Sequence, residues 1–277
     1  DFQYIAQLFL SFLYHYLIAQ HVNFIPDMFN LNFTIMKTMP QNLKKWMAPL
    51  GLICLLALTL TSCVKNQAPT VSKPLSALEI TDACPDAPQL NFFLGGNEIN
   101  QSTLGLGSFT YYFSAYAGVN SAGFYDAGTT TSLAQTSITL NANTYYTLYL
   151  ANVEATPDFL LLKDSVYNAG TGFTAIRFVD VSPNAPAVDL ITKSGTKIVQ
   201  NYTYKNASAF LKVPLPVGTV DTLQVVQSGT TTVLATVPVT VFLSNADYTV
   251  WFYGLANPPL ASEGLAANIM ENLYFNE

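Results

Sequence analysis

The sequence predicts an all-β protein, two tandem immunoglobulin-like β-sandwich domains behind a lipoprotein signal peptide. Three observations predict it. One unit occurs twice at a spacing of about 100 residues, the segments within each copy are short and rich in Thr, Val, Tyr and Phe between Gly, Pro and Asn, and an apolar run before Cys63 has the order of an export signal. Half of the 277 residues are apolar and only 10% are charged, which rules out a disordered chain. With 17 acidic against 11 basic side chains the formal charge is -6, so no nucleic-acid partner is expected.

The first segment, 1–38, begins at Asp1 and holds 21 Phe, Tyr, Ile, Leu or Asn residues and no Gly between 1 and 35. It reads as translated upstream DNA, with synthesis starting at Met36 or Met39. The competing reading is a membrane segment from Tyr4 to Ala19, which Gln7 and His15 interrupt. Residues 39–62 read as the signal peptide: Lys44 and Lys45, an apolar run from Leu50 to Leu60, then small residues before Cys63. The run is shorter than the roughly 20 residues that span a bilayer.

Leu60-Thr61-Ser62-Cys63 resembles the lipobox of bacterial lipoproteins, in which the cysteine is acylated and becomes the new N-terminus. Several acyl chains, each contributing about 0.8 kcal/mol per buried methylene, hold where one chain is marginal. Cys63 is therefore the expected lipid attachment, and the membrane the expected partner through it. Residues 63–77, rich in Pro, Ser, Thr, Asn and Lys, read as a tether. The expected location is the bacterial cell envelope, at the outer membrane, with the periplasmic or the surface face left open.

Removing residues 1–62 leaves 8 basic and 15 acidic side chains and no histidine, because His15 and His21 both lie upstream. Ser-His-Asp catalysis, Cys-His catalysis and His-ligated zinc are thereby excluded. Cys54 falls in the signal and Cys63 takes the lipid, so Cys84 has no disulfide partner.

The repeat defines the two domains, 78–168 and 173–257. Asp82-Ala83-Cys84-Pro85-Asp86-Ala87-Pro88 returns as Asp180-Val181-Ser182-Pro183-Asn184-Ala185-Pro186 at an offset of 98. Ala127–Ala134 returns as Ser228–Ala235 at 101, and Asn143–Tyr149 as Asn245–Trp251 at 102. In the second copy, strands are expected near Ala175–Val181, Val188–Thr192, Ala209–Val213, Thr222–Gln227, Thr231–Val237 and Tyr248–Tyr253. About seven strands in about 100 residues is the arithmetic of an immunoglobulin-like sandwich. Asn168–Gly172 is the expected hinge and 258–277 a C-terminal extension. Glu271–Phe275 resembles a tag-protease site, but Asn276 stands where that site needs Gln, so it reads as native sequence.

The box Arg177-Phe178-Val179-Asp180-Val181-Ser182-Pro183-Asn184-Ala185-Pro186-Ala187-Val188-Asp189, with Val213-Pro214, Gly218 and Asp247-Tyr248-Thr249-Val250, resembles the domain of unknown function 4397. The resemblance spans about residues 78–256. It is closer in the second copy than in the first, where Cys84, Gln89 and Asn91 replace Ser182, Ala187 and Asp189. It implies tandem β-sandwich units in a bacterial envelope protein, often a lipoprotein, and no particular activity.

Asp82, Asp86, Asp180 and Asp189 are the carboxylates to weigh as calcium ligands or catalytic pairs. Prolines on both sides of Asp86 and Asn184 favour a turn instead, with the Asx side chain bonded to backbone two residues on. Asp86 also becomes Asn184 between copies. No catalytic residue, metal site or cofactor is expected. Tyr111-Tyr112-Phe113, Tyr145-Tyr146, Tyr149, Tyr202, Tyr204 and Trp251-Phe252-Tyr253 lie on expected strands, and alternation should turn some outward, where Tyr suits glycan or protein contact. The expected function is a lipid-anchored envelope protein acting as a binding, adhesion or structural module without catalysis, its soluble partner a glycan or another envelope protein. The alternative is a carboxylate-dependent glycan-active enzyme, which needs two acids about 5–10 Å apart across a cleft.

Overall fold

The computed structural model describes residues 73–272 except 216, 217, 219, 239, 244 and 245; the signal peptide, Cys63 and the tether as far as 72 lie outside the described residues. Apart from one 3-10 turn at Ala261–Glu263, the regular structure described is strand. Both copies belong to one compact unit.

The first copy comprises β1 (Leu75–Asp82), β2 (Leu90–Leu94), β3 (Asn97–Glu98), β4 (Phe113–Tyr116), β5 (Gly118–Asp126), β6 (Ser132–Leu140), β7 (Tyr145–Ala151) and β8 (Asp158–Asp164). They form two sheets, β4-β1-β7-β8 and β3-β2-β5-β6. The second comprises β9 (Thr174–Asp180), β10 (Val188–Thr192), β11 (Lys197–Tyr202), β12 (Leu211–Val213), β13 (Val220–Asp221), β14 (Leu223–Gln227), β15 (Val233–Thr236), β16 (Thr240–Val241), β17 (Asp247–Tyr253) and β18 (Ala266–Glu271). Its sheets, β12-β9-β17-β18 and β11-β10-β14-β15, repeat the first copy strand for strand, with β13 and β16 an added ladder. The first and seventh strands of each copy pair in parallel, Ile80 beside Leu148 and Phe178 beside Val250.

Two expected boundaries shift. β1 opens at Leu75, so the last three residues assigned to the tether are strand. The second copy does not close at 257, and 258–277 is not merely an extension. β18 pairs with β17 from Tyr248↔Glu271 to Tyr253↔Ala266, as β8 pairs with β7. It is the eighth strand of the repeat, displaced because the loop before it is longer.

Each copy has its own core. Leu78, Ile80, Phe92, Phe124, Leu148 and Leu150 fill the first, and Phe178, Leu190, Val225, Phe242, Val250 and Phe252 the second. A third cluster, Ala83, Tyr149, Ala151, Val179, Val181, Trp251 and Met270, joins them. It arises because the alternate positions of β1, β7, β9 and β17 meet the other copy instead of water. The four sheets therefore stack in layers, with the parallel-paired sheets inside. Strands buried on both faces carry apolar residues almost continuously, as here. Tyr149 and Trp251, which strand alternation within one sandwich turns away from its own core, are fully buried for this reason.

The contact also holds polar groups. Arg177 pairs with Asp164, and its Nε and Nη2 donate to Thr249 Oγ1 at 3.2 Å and Thr147 Oγ1 at 3.3 Å. Tyr112 donates to Asp164 Oδ2 at 2.8 Å, and Asn272 Nδ2 donates to Tyr112 at 2.9 Å. Glu79, which occupies in β1 the place of Arg177 in β9, lies with its Oε1 3.0 Å from the Thr147 hydroxyl, whose single proton goes to Asp164 Oδ2 at 2.7 Å. Burial, then the neighbouring Asp164, push the Glu79 carboxyl well above the usual range. Gly107, at φ 80°, passes against the ring of Tyr253, where a side chain would collide. The expected hinge is packed: Ala169 is buried beside Ala175 and Phe210, and the Tyr167 N–H donates to Asp247 Oδ2 at 2.7 Å.

Candidate functional site

The repeated proline box closes the strand ends. Asp82 and Asp180 end β1 and β9, and each accepts the backbone N–H two residues on, from Cys84 and Ser182, both at 3.0 Å. Burial pushes each of these carboxyls up to about 7. Asp86 and Asn184 were expected to make that local bond but instead reach across. Asp86 Oδ1 accepts the Glu154 N–H at 2.6 Å and Asn184 Oδ1 the Ala256 N–H at 2.8 Å, each in the loop after the seventh strand. Because only an accepting oxygen is needed, acid and amide serve equally.

Asp189 lies elsewhere, on β10. Burial raises its pKa, but Lys197 at 2.8 Å, Ser228 and the Asn201 N–H at 2.9 Å outweigh that and hold it below the usual range. Cys84 is buried with its thiol 3.7 Å from Asp86, and burial followed by Asp82 and Asp86 push its pKa well up, the reverse of a reactive thiolate. Among the described residues no group of three or more His, Cys, Asp or Glu is placed to hold a metal ion.

The first copy carries two open clefts. The larger, about 430 Å³, lies along the segment between β3 and β4, between Gln101, Ser102 and Thr103 on one side and Phe109, Tyr111 and Phe113 on the other. Every side chain in its wall is a hydroxyl, an amide or apolar. Tyr111 is 62% exposed and meets Phe109 edge to face at 5.7 Å, and Phe109 in turn meets Trp251 of the second copy at 5.4 Å. The contact between copies thus braces the cleft wall. Phe109 and Ala207 bridge equivalent residues, Thr81 and Val179, so the second copy has Ala207 and Ala209 where the first has Phe109 and Tyr111.

The smaller cleft, about 240 Å³, is on the outer face of β2, β5 and β6, beside Phe93, Tyr125 and Gln135. Phe93 and Tyr125 meet edge to face at 4.9 Å, and Gln135 donates to Tyr125 at 2.9 Å. Gly123 makes the room, since a Cβ there would lie 2.9 Å from the Tyr125 ring. In the second copy Gln224 and Val226 occupy the places of Gly123 and Tyr125, by register against β10. Of the aromatic residues singled out in the sequence, Tyr111 stands in a cleft, Tyr112, Tyr146, Tyr149, Trp251 and Phe252 are buried, and the rest are half-buried. Phe93, Tyr125 and Gln135 were missed. The signal for them was Gly123 in mid-strand, which marks a gap or a close approach.

Two sandwiches of eight strands, stacked through their parallel-paired sheets and open to solvent in two uncharged clefts, define a tandem β-sandwich protein. Residues 76–191 match the family "Domain of unknown function (DUF4397)", a span that takes in the first copy and the opening strands of the second. The resemblance read from the repeated box is borne out there. No curated protein matches the chain. Among solved structures, the chain is similar to a family 26 carbohydrate-binding module of Eubacterium rectale in complex with maltoheptaose, at 11% identity and TM-score 0.23, covering 68% of this chain and 99% of that one. It is similar also to an α-glucan-binding streptococcal virulence factor, at 11% identity and TM-score 0.24, covering 70% and 97%. A third is a set of family 41 modules from streptococcal virulence factors that recognise α-glucan, at 12% identity and TM-score 0.22, covering 70% and 96%.

Proposed function

We propose that the protein is a non-catalytic binding module of the bacterial envelope, held at the outer membrane by a lipid on Cys63, and that it takes a neutral glycan in the cleft beside Tyr111. The observation that carries the reading is the chemistry of that cleft. A chain whose acids outnumber its bases lines it with hydroxyls, amides and three aromatic rings and with no charge. Hydroxyls and amides match sugar hydroxyls, and an exposed ring offers an apolar face to the C–H side of a pyranose. Of the four carboxylates weighed for catalysis, Asp86 accepts the Glu154 N–H, Asp189 is paired with Lys197, and Asp82 and Asp180 are fully buried at the strand ends, away from solvent.

The test is a neutral-oligosaccharide array followed by calorimetry with Tyr111→Ala. Affinity is expected to fall about tenfold, or about 1.4 kcal/mol, with unchanged melting. Equal affinity of the variant, or hydrolysis of any bound glycan, overturns the reading. Labelled palmitate should enter the wild type and not Cys63→Ala; equal labelling would remove the anchor.

A further inference from the structure

The exposed large apolar side chains are not scattered. Leu75, at the start of β1, stands opposite Tyr116 on β4, and Val119 follows at the start of β5 beside Thr139. β7 runs parallel to β1 with Tyr145 beside Ala77, and β8 ends at Asp164 opposite Tyr145, so Val166 and Tyr167 emerge at the same end. The second copy contributes to that end too. The Tyr167 N–H donates to Asp247, where β17 starts, and Thr174 Oγ1, where β9 starts, donates to the Leu243 carbonyl at 3.1 Å, with Val241 two residues before. Seven of the ten exposed large apolar side chains of the described residues therefore share one end, and their exposure runs from 38% at Tyr167 to 75% at Val119.

Charge follows the same division. Lys73 lies over the Tyr116 ring at 5.2 Å, Lys163 is next to the end of β8, and Lys212 on β12 pairs with Ala175, so three exposed lysines belong to this end. Asp164 and Asp247 at this end are buried and Glu271 is half-buried. At the opposite end stand Asp86 and Glu154, both exposed, with Asp126 closing β5, while Asp158, which opens β8, is paired there with Lys205 at 2.7 Å. Glu98 lies on the flank between.

The tether enters at the apolar, basic end. The path from Cys63 to Lys73 spans at most about 35 Å, so a lipid on Cys63 would keep this end within that distance of the membrane surface. Tyr is suited to the boundary between headgroups and acyl chains, and lysine to anionic headgroups.

We propose that this end of the double sandwich rests on the membrane, with Tyr116 and Val119 among the headgroups and Lys73, Lys163 and Lys212 over anionic phosphates. The proposal rests on the lipid-anchor reading and adds a contact surface to it. A nitroxide on Val119→Cys or on Leu260→Cys, each in a Cys84→Ser background, reports immersion. The processed chain is purified from bacterial membranes and returned to vesicles of phosphatidylethanolamine and phosphatidylglycerol. The label at 119 should be several-fold more accessible to oxygen relative to a water-soluble nickel complex than the label at 260. Tyr116→Ser with Lys73→Glu should reduce that difference. Two equally aqueous labels overturn the docking, whether or not palmitate is incorporated. Palmitate on Cys63 with both labels in water leaves the anchor standing and removes the docking alone, and absence of palmitate removes the anchor.

Discussion

Replacing Arg177 by Met removes the only arginine in the chain and the only buried cation among the described residues. Its partner Asp164 has a side chain that is 0% exposed, so the carboxylate left behind has no water to turn to. Removing one member of a buried pair costs about 3–5 kcal/mol because the other charge stays uncompensated. Tyr112 and Thr147 still donate to Asp164 Oδ2, at 2.8 and 2.7 Å, which places the loss near the lower figure. For a folded body of this size about 3 kcal/mol corresponds to a drop in Tm of roughly 6–12 °C. Asp164→Asn added to Arg177→Met should restore most of it, because Asn272 already occupies the matching place after β18. The assay is thermal unfolding at pH 7 followed by near-ultraviolet circular dichroism, which reads the aromatic contact around Trp251 directly. A single variant melting within about 2 °C of wild type, or a double variant no better than the single, would refute the account of the contact between copies.

Two further outcomes follow from the buried carboxyls and the proline box. Asp82 and Asp180 are pushed up to about 7, so the folded chain binds more protons than the unfolded one between about pH 4 and 7. The stability they allow is full below their unfolded pKa and is lost as pH rises through about 7, and Glu79 acts in the same direction. Urea unfolding should give higher stability at pH 5 than at pH 8, and Asp82→Asn with Asp180→Asn should flatten the difference; a steeper slope in the double variant would contradict the assignment. Asp86→Asn should change stability by less than about 0.5 kcal/mol, since Asn184 makes the same reach to a backbone N–H. Asp86→Ala should cost about 0.5–1.5 kcal/mol, and an equal effect of both substitutions would show that the reach to Glu154 is not what the side chain does.

The cores of both copies were legible because the repeat preserved them: Ile80 and Phe178, Phe92 and Leu190, Leu148 and Val250 hold matching places. β18 was not legible. Ala266-Ala267-Asn268-Ile269-Met270-Glu271 has little of the β-branched and aromatic content that marks a strand, and it becomes one because β17 offers an open edge. The longer loop before it also moves the repeat out of step with β8, which hides the match. The contact between copies escaped for another reason. Thr81, Tyr149, Val179 and Trp251 are the outward half of alternating strands when one sandwich is considered alone, and only a second sheet reveals them as interior. The clefts were legible in part: Tyr111 belonged to a visible aromatic run, whereas Phe93 and Tyr125 are joined only by the pairing of β2 with β5.

Glu79 and Arg177 hold the same place in two copies of one unit, one an acid and one a base. Two identical copies meeting through this face would set acid against acid or base against base in a dry contact. The divergence of this one position therefore makes the two halves prefer each other over their own kind. Because residues 165–173 join them on one chain, the effective concentration of one half for the other is far above that between separate chains in solution. The partner that completes each half is thus supplied in cis, by the same chain.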